Sequence, residues 1–498
     1  MTTPAGEFFD NGEECAGTGR FGEAVGWYDR VIAIDPQFPE VWLNRGVALL
    51  ELGRYAEAAE SFDREIARSP QNELAWINRG NALCGLGRFA DGVASYDRAI
   101  ATNPRFARAW LFRGNALAGM GQYAEAVVSY DQVTALLPEH AELWYRRGLA
   151  LGALGRHDEA FTSFDRAVAL DPEYAAAWTY RGVALAHQGR LKEAAASFDR
   201  ATTLNPKNRL AWYNRGTVQS RLKQDADAVV SYDNAIATGM DTETVWADRG
   251  TSLGMLGRFS EAVASFDRAA AINPGLARVW VNRGIALGDL KRYPEAAASF
   301  ERAIAIAPEY PLVWYNLGNA QSCLGQHAEA VVSYDREIAL YPGNARVWTN
   351  RGIALGCLGR DDDALASFDR AVELSPGQAP GWVNRGVALD GLGRHADAVE
   401  SYDRALAISP DLFRAWYRRG LSLGRMGQHA EAVASYDRAV ALDPGFARAW
   451  CSRGTALFSL GRTAEAISSF DRALVLDPDN AEARENRARA LRGTGEKS

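Results

Sequence analysis

A tryptophan recurs every 34 residues along most of this chain, and that period constrains the fold more than any other feature. The tryptophans stand at positions 42, 76, 110, 144, 178, 212, 246, 280, 314, 348, 382, 416 and 450, without an insertion or deletion. A fixed period of about 20 to 50 residues is typical of proteins that stack one structural unit. The chain is therefore predicted to be an array of repeats rather than a set of globular domains.

Fourteen repeats, each numbered here from position 1 to 34, span residues 5–480, after an N-terminal tail of residues 1–4. Residues 481–492 start a fifteenth repeat, but Arg484 replaces its tryptophan and Ala488 its glycine. Such changes suit a terminal helix whose outer face meets water, so this segment is predicted to be a capping helix. Residues 493–498 are predicted to be a disordered tail.

Each repeat is predicted to contain two helices of about 13 residues, because apolar or small residues at positions 4, 8, 11, 20, 24, 27 and 28 follow helical spacing. Glycine at position 15 in twelve of fourteen repeats separates the helices, and proline at position 32 in thirteen ends the second. Helices this short are marginal alone. The tryptophan at position 4, the glycine at position 8, the alanine at position 20 and the aromatic residue at position 24 are therefore predicted to pack the helices together. The glycine at position 8 would permit a close approach of two helices.

These residues, for example Trp110, Gly114, Ala126, Tyr130 and Pro138, resemble the tetratricopeptide repeat over essentially the whole chain. The resemblance implies an all-α fold, an α-solenoid of helix-turn-helix repeats wound into a right-handed superhelix. It also implies that the first helices line a concave groove, with positions 2, 5, 6, 9, 12 and 13 facing it, and that the protein binds other proteins or peptides. Position 7 departs from the family, which usually has leucine there.

Position 7 is arginine in twelve of the thirteen repeats that carry the tryptophan, and position 25 is aspartate in thirteen of fourteen repeats. The single Glu301 precedes the single Leu317, so arginine follows aspartate by 16 residues wherever both exist. We predict a partly buried ion pair between the second helix of one repeat and the first helix of the next, for example Asp97 with Arg113. A pair of unrelated solvated charges is the alternative.

Position 6 of the groove supplies the candidate peptide-binding residues, which are Asn44, Asn78, Asn214, Asn282, Asn316, Asn350, Asn384, Arg146 and Arg418. An asparagine amide donates and accepts hydrogen bonds, so it can bind a passing peptide bond whatever the side chain. The arrangement is similar to the asparagine ladder in the repeats of O-linked N-acetylglucosamine transferases, whose catalytic half this sequence lacks. Alternatively, each asparagine ties its own repeat to a neighbouring backbone carbonyl.

Repeat seven, residues 209–242, departs most from the pattern. It has Lys223 for the turn glycine, Asp225 for the aromatic residue at position 17 and Met240 for the proline. We predict a loosened joint there.

Composition and motifs argue against other classes. A net charge of −7 without blocks of one sign favours neither nucleic acid nor membranes as partners. Five cysteines without a Cys-x-x-Cys pair, and no long apolar segment, favour a soluble cytoplasmic protein. No catalytic motif is present, and Gly85 and Gly87, which superficially match a dinucleotide fingerprint, lie between two helices. No enzyme activity, cofactor or metal is predicted, and the oligomeric state stays open.

The sequence thus favours a non-catalytic scaffold that binds extended peptides along a concave superhelical groove. Two alternatives remain: an assembly or regulatory subunit that uses its convex face, and an accessory that presents substrates to a transferase. RNA recognition by helical repeats is disfavoured by the period and the acidity.

Overall fold

The computed structural model describes residues 4–495, and within that range it contains helices and turns but no strand. The residues fall into two compact units that meet in sequence at Ser252 and Leu253. Each unit is an α-solenoid of helix pairs, which confirms the predicted all-α fold; the handedness of a superhelix stays a prediction. Among the described residues no helix has the length and apolar character needed to cross a membrane.

The first unit contains α1 (Pro4–Gly17), α2 (Phe21–Ile34), α3 (Val41–Glu51), α4 (Tyr55–Arg68), α5 (Glu73–Gly85), α6 (Phe89–Thr102), α7 (Ala107–Gly119), α8 (Tyr123–Leu136), α9 (Ala141–Ala153), α10 (His157–Leu170), α11 (Ala175–His187), α12 (Leu191–Leu204), α13 (Arg209–Arg221) and α14 (Asp225–Ala237). Helix α15 (Glu243–Met255) spans the division in sequence. The second unit contains α16 (Phe259–Ile272), α17 (Ala277–Asp289), α18 (Tyr293–Ile306), α19 (Val313–Cys323), α20 (His327–Leu340), α21 (Ala345–Cys357), α22 (Asp361–Leu374), α23 (Ala379–Gly391), α24 (His395–Ile408), α25 (Phe413–Arg425), α26 (His429–Leu442), α27 (Ala447–Ser459), α28 (Thr463–Leu476) and α29 (Ala481–Gly495).

The last helix, α29, continues to Gly495, three residues beyond the predicted end at 492. The prediction of a disordered tail is therefore wrong for residues 493–495, which are helical. Residues 496–498 lie outside the described residues. The cap begins at Ala481 as expected.

The turn inside each repeat needs one residue in the left-handed region. The position-15 glycines supply it, with φ values such as 71° at Gly359 and 77° at Gly19. Lys223 and Lys291 replace two of these glycines and still hold φ values of 61° and 60°, at a cost of roughly 1 to 2 kcal/mol each. The turn is therefore kept in repeat seven, and the loosened joint proposed there stays a prediction.

Two first helices, α3 and α19, are shortened to 11 residues. Each is preceded by a proline at position 1 and by a left-handed residue, which is Leu312 (φ 62°) in α19. The fully buried carboxylate of Glu337 accepts hydrogen bonds from the backbone N–H groups of Leu312 (3.1 Å) and Tyr315 (3.3 Å). Burial nevertheless raises the pKa of Glu337 above its ordinary value, since the hydrogen bonds oppose the desolvation only in part.

Inside each repeat, the aromatic side chain at position 24 packs on the glycine at position 8. All fourteen aromatic residues at position 24 are buried, with exposed fractions of 0 to 5%. A Cβ atom added to Gly352 would lie 2.6 Å from Cε1 of Phe368, and a Cβ atom added to the position-8 glycine of twelve other repeats would lie within 2.8 Å of the position-24 ring. The predicted role of this glycine in close helix approach is confirmed.

The tryptophans are only partly buried and act at the loops as well as in the core. In twelve repeats the indole N–H donates a hydrogen bond to the backbone carbonyl of the preceding position-32 proline, as Trp348 does to Pro342 at 3.0 Å. Trp246, which follows Met240, donates instead to Oδ1 of Asp241 at 2.7 Å. The tryptophan therefore also fixes the loop between repeats.

The predicted ion pair between repeats is confirmed. Nε of Arg113 lies 2.6 Å from Oδ1 of Asp97; the arginine side chain is 20% exposed and the aspartate 52%. Nη1 of Arg113 also donates to Oγ of Ser129 at 2.7 Å, a partner that the sequence interpretation missed. Eleven of the position-7 arginines donate to the position-23 serine in this way and so connect the second helix of the preceding repeat to that of their own. The same ion pair joins Asp29 with Arg45, Asp63 with Arg79, Asp131 with Arg147, Asp165 with Arg181, Asp199 with Arg215, Asp233 with Arg249, Asp267 with Arg283, Asp335 with Arg351, Asp369 with Arg385, Asp403 with Arg419, Asp437 with Arg453 and Asp471 with Arg487.

Candidate peptide-binding face

Within each unit, the first helices of neighbouring repeats contact one another directly, as α5 does with α7 and α21 with α23. We call the surface formed by positions 2, 5, 6, 9, 12 and 13 of these helices the first-helix face. Among the described residues, cavities open on it between repeats 1 and 2, 9 and 10, and 13 and 14, with volumes of about 190, 250 and 240 Å³. We call these cavities cups.

The cup between repeats 9 and 10 shows how the sequence makes them. Gly288, at position 12, forms part of the wall, and a Cβ atom added there would meet nothing within 4 Å. The remaining lining includes Asp289, Tyr293, Asn316 and Cys323. Small residues at position 12 therefore leave room for a side chain, and polar groups from two repeats surround that room.

The structure places the predicted asparagines on this face, all of them partly buried, but it divides them into two groups. In the first group the amide is tied to the protein. Nδ2 of Asn350 donates to Oδ1 of Asn319 at 2.8 Å and to the hydroxyl of Tyr315 at 3.3 Å. Nδ2 of Asn44 donates to Oε1 of Glu13 at 3.4 Å. These partners are side chains of the preceding repeat, not the backbone carbonyls that the alternative interpretation named. Asn282 also takes part in an interaction within the protein.

In the second group the side-chain amide has no hydrogen-bond partner among the described residues. Its members are Asn78, Asn214, Asn316 and Asn384. The residue at position 9 of the preceding repeat separates the groups. It is polar before the tied amides, Glu13 and Asn319, and aliphatic before the free ones, namely Val47, Val183, Ile285 and Ile353. An aliphatic side chain offers no acceptor, so the amide of the next repeat stays available to a ligand.

The two predicted arginines differ in whether they form an ion pair within the protein. Arg146 is partly buried; its Nη2 lies 2.7 Å from Oε1 of Glu142, and its Nη1 donates to Oδ1 of Asn115 at 3.4 Å. Asn115 is again the position-9 residue of the preceding repeat. Arg418 is exposed and forms no ion pair among the described residues. Arg146 is therefore engaged in an ion pair, whereas Arg418 hydrogen-bonds with the Tyr402 side chain and its charge is not paired with any described carboxylate.

Position 9 also contacts the core, which the sequence interpretation missed. The hydroxyl of Tyr130 donates to Oδ1 of Asn115 at 2.9 Å, and Tyr334 donates to Asn319 at the same distance. Burial raises the pKa of Tyr130 to about 12, so the phenol remains a donor at neutral pH. The signal was present in the sequence, since asparagine occurs at position 9 only in repeats with tyrosine at position 24.

A family model described as the tetratricopeptide repeat matches residues 12–73, 77–133, 113–175, 152–208, 189–241, 248–311, 315–379, 417–481 and 454–497, and a related TPR repeat model matches 391–427. The matches cover most of the chain, so the protein belongs to the tetratricopeptide repeat family. Its stacked helix pairs make it a protein-interaction scaffold. Among residues 4–495, no group of three or more histidine, cysteine, aspartate or glutamate side chains is placed to hold a metal ion.

Several solved structures are similar to parts of the chain. YrrB, described as a TPR protein with an unusual peptide-binding site, is 27% identical over 38% of this chain and 96% of its own, with a TM-score of 0.35. MamA is 26% identical over 33% of this chain and 97% of its own, with a TM-score of 0.32. The APC/C Cut9-Hcn1 hetero-tetramer is 15% identical over 91% and 96%, with a TM-score of 0.38. No curated protein sequence matches the chain.

Proposed function

We propose that this protein binds an extended or partly unfolded peptide along the first-helix face, without catalysing a reaction. The observation that carries the proposal is the group of free position-6 amides on the first-helix face, of which Asn316 also lines a cup. Asn316 and Asn384 belong to this group in the second unit, and Asn78 and Asn214 in the first. Each can donate to a peptide carbonyl and accept from a peptide N–H, which gives affinity independent of the ligand's side chains.

The spacing of the free amides sets the register of such a ligand. Neighbouring repeats stack roughly 10 Å apart, and an extended peptide rises about 3.3 Å per residue. Asn316 and Asn384 are two repeats apart, with the tied Asn350 between them. The peptide backbone would therefore be held about every sixth residue in this region, and the cup that Asn316 lines would accept a side chain next to the first of these points.

The alternative of a folded partner on the opposite face has weaker support. The most exposed apolar residues at position 22 of the second helices are single valines, Val128, Val230 and Val332, at 54, 55 and 59% exposure. They lie three repeats apart, and the intervening repeats have smaller residues at this position, namely Thr162, Ala196, Ala264 and Ala298. Scattered apolar residues of this kind are normal on protein surfaces.

A permanently unfolded chain tests the proposal. Reduced, carboxymethylated α-lactalbumin is titrated into the full protein, with native α-lactalbumin as the comparison, and binding is followed by fluorescence anisotropy. We expect the wild type to bind only the unfolded form, and Asn316→Ala/Asn384→Ala to weaken binding at least about tenfold, which corresponds to about 1.4 kcal/mol. Gln326→Ala/Gln428→Ala removes two exposed amides in turns and should bind as the wild type does.

A second variant tests the same amide without removing it. Ile353→Asn places an acceptor at position 9 before Asn384, as Asn319 stands before Asn350. The Asn384 amide should then be tied to the protein, and binding should weaken although every asparagine is retained. Unchanged affinity in both Ile353→Asn and the double alanine variant would show that the free amides are not the binding site.

A further inference from the structure

The first-helix face of the last two repeats carries a concentration of unpaired positive charge. Helices α25 and α27 each hold one arginine that is paired with an aspartate, Arg419 with Asp403 and Arg453 with Asp437. The other four arginines of these two helices are exposed and form no ion pair among the described residues. They are Arg414, Arg418, Arg425 and Arg448, at positions 2, 6, 13 and 2 of their repeats.

The cup between repeats 13 and 14 lies within this surface. Its lining consists of Leu421, Gly424, Arg425, His429, Tyr436, Ser452, Thr455, Ala456, Ser459 and Glu482. Arg425 supplies a guanidinium group, and three hydroxyl side chains stand on the facing helix. Glu482 is the only carboxylate in the lining, and no ion pair joins it to Arg425. A guanidinium group binds a carboxylate through two parallel hydrogen bonds, which is the strongest pairing open to this cup.

The cup between repeats 9 and 10 has nearly the same volume, but its lining holds a carboxylate and no arginine. Asp289 lines it, together with the neutral Tyr293, Asn316 and Cys323, and no basic residue is among its lining. The two cups of the second unit are therefore built alike, from the same repeat positions, but differ in the side chain that they would accept. Complementary charge at such sites fixes the register and direction of a ligand more than it adds affinity.

We infer that repeats 13 and 14 bind the acidic part of an extended partner segment, with one carboxylate side chain in the cup against Arg425 and further acidic residues beside Arg414, Arg418 and Arg448. This inference rests on the proposed function, since it names the chemistry of the segment that lies on the first-helix face. A segment with acidic residues at one end would bind in one direction only. The acidic end would lie at repeats 13 and 14, and the end near Asp289 would be neutral or basic.

Two labelled 15-residue peptides provide the test, one made of five Gly-Ser-Glu units and the other of five Gly-Ser-Lys units. Both are titrated into the full protein near physiological ionic strength, where screening acts over about 8 Å. We expect the acidic peptide to bind, and Arg418→Glu/Arg425→Glu to weaken it at least about tenfold. Arg404→Glu/Arg472→Glu makes the same change in net charge on exposed arginines of the second helices, α24 and α28, and should change the affinity less than about twofold.

Arg425→Gln is a milder variant with a lower risk of misfolding, because it removes the charge, keeps a polar side chain and introduces no negative charge. It should weaken the acidic peptide several-fold while the thermal unfolding curve stays that of the wild type. The inference fails if the two peptides bind equally, or if the Arg404→Glu/Arg472→Glu control loses as much affinity as the Arg418→Glu/Arg425→Glu variant. It also fails if a 15-nucleotide single-stranded RNA binds at this surface more tightly than the acidic peptide.

The asparagine variant separates this inference from the proposed function. If Asn316→Ala/Asn384→Ala leaves the acidic peptide bound while Arg418→Glu/Arg425→Glu releases it, the acidic preference stands and the amide contacts are wrong. If binding of the unfolded chain depends on the asparagines, but substituting the arginines changes the binding of neither labelled peptide, the peptide-binding face stands and the acidic preference is overturned.

Discussion

Two glycines one turn apart on α21 allow the packing between helices to be tested by a single methyl group. Gly352, at position 8, faces the ring of Phe368, and an added Cβ atom would lie 2.6, 2.8 and 2.9 Å from three ring carbons. Gly356, at position 12, is exposed on the first-helix face, and an added Cβ atom would meet nothing within 4 Å. Gly352→Ala and Gly356→Ala are therefore chemically identical changes in opposite surroundings.

The expected changes in the free energy of unfolding have opposite signs. Replacing glycine by alanine inside a helix stabilises it by about 0.5 to 1 kcal/mol, and Gly356→Ala should give this whole benefit. Carbon atoms normally approach to about 3.5 to 4.0 Å, so Gly352→Ala forces the ring or the helix to move by roughly 1 Å. Phe368 is 5% exposed and has little room, and overpacking of this kind costs about 1 to 3 kcal/mol. The net effect should be a loss of about 1 to 2 kcal/mol.

Urea unfolding followed by circular dichroism compares the two variants with the wild type in the full chain. The midpoint should rise for Gly356→Ala and fall for Gly352→Ala. Replacing the ring by a smaller side chain in Gly352→Ala/Phe368→Leu should recover part of the lost stability, because the added methyl group then has space. Midpoints that move in the same direction by similar amounts would show that the close contact between positions 8 and 24 does not control stability.

Three further substitutions probe the ion pairs, the asparagines and the buried carboxylate. Asp335→Ala should lower the unfolding free energy by about 1 to 2 kcal/mol, because it leaves the guanidinium of Arg351, which is only 20% exposed, without its carboxylate. Arg351→Leu leaves a carboxylate that is 50% exposed and should lower it by less than about 1 kcal/mol. The reverse order in urea midpoints would contradict this. Asn350→Ala should lower the unfolding free energy by about 1 kcal/mol through its lost hydrogen bonds, whereas Asn316→Ala should change it by less than about 0.5 kcal/mol; equal losses would remove the distinction between tied and free amides. The raised pKa of Glu337 means that the folded state binds the carboxyl proton more tightly than the unfolded state does. The resulting stabilisation is present below the ordinary glutamate pKa and is lost as pH rises through the raised pKa. Relative to Glu337→Gln, the wild type should therefore lose stability as pH rises through that window, and a constant difference in urea midpoint would argue against the raised pKa.

The fold could be predicted because one period carries nearly all of it. The 34-residue spacing fixed which residues share a helix face, and the exception formed by Glu301 and Leu317 pointed to the ion pair before any distance was known. The serine that completes each pair was missed, although serine stands at position 23 in thirteen of fourteen repeats. Its hydroxyl could equally have been a solvated surface group, since Ser129 also donates to the carbonyl of Glu125 in its own helix at 3.1 Å.

The candidate site could be placed on a face but not resolved residue by residue. Asn316 and Asn350 occupy the same position in the first helices of neighbouring repeats, and position 6 alone gives no reason to separate them. Their difference depends on the residue 31 positions earlier, Ile285 before Asn316 and Asn319 before Asn350. That contact joins two repeats and follows from how the helices are stacked, which periodicity within one repeat does not specify.

Position 9 therefore connects the core of a repeat with the availability of the next repeat's amide. A tyrosine at position 24 brings its hydroxyl toward position 9, where asparagine can accept its hydrogen bond, as in Tyr334 and Asn319. The same asparagine oxygen then captures the amide at position 6 of the following repeat, here Asn350. Phenylalanine at position 24 needs no acceptor, and most such repeats carry an aliphatic residue at position 9, such as Ile353 before the free Asn384. The choice between two buried aromatic residues, which differ by one oxygen, thus helps to decide which position-6 amides along the first-helix face stay free.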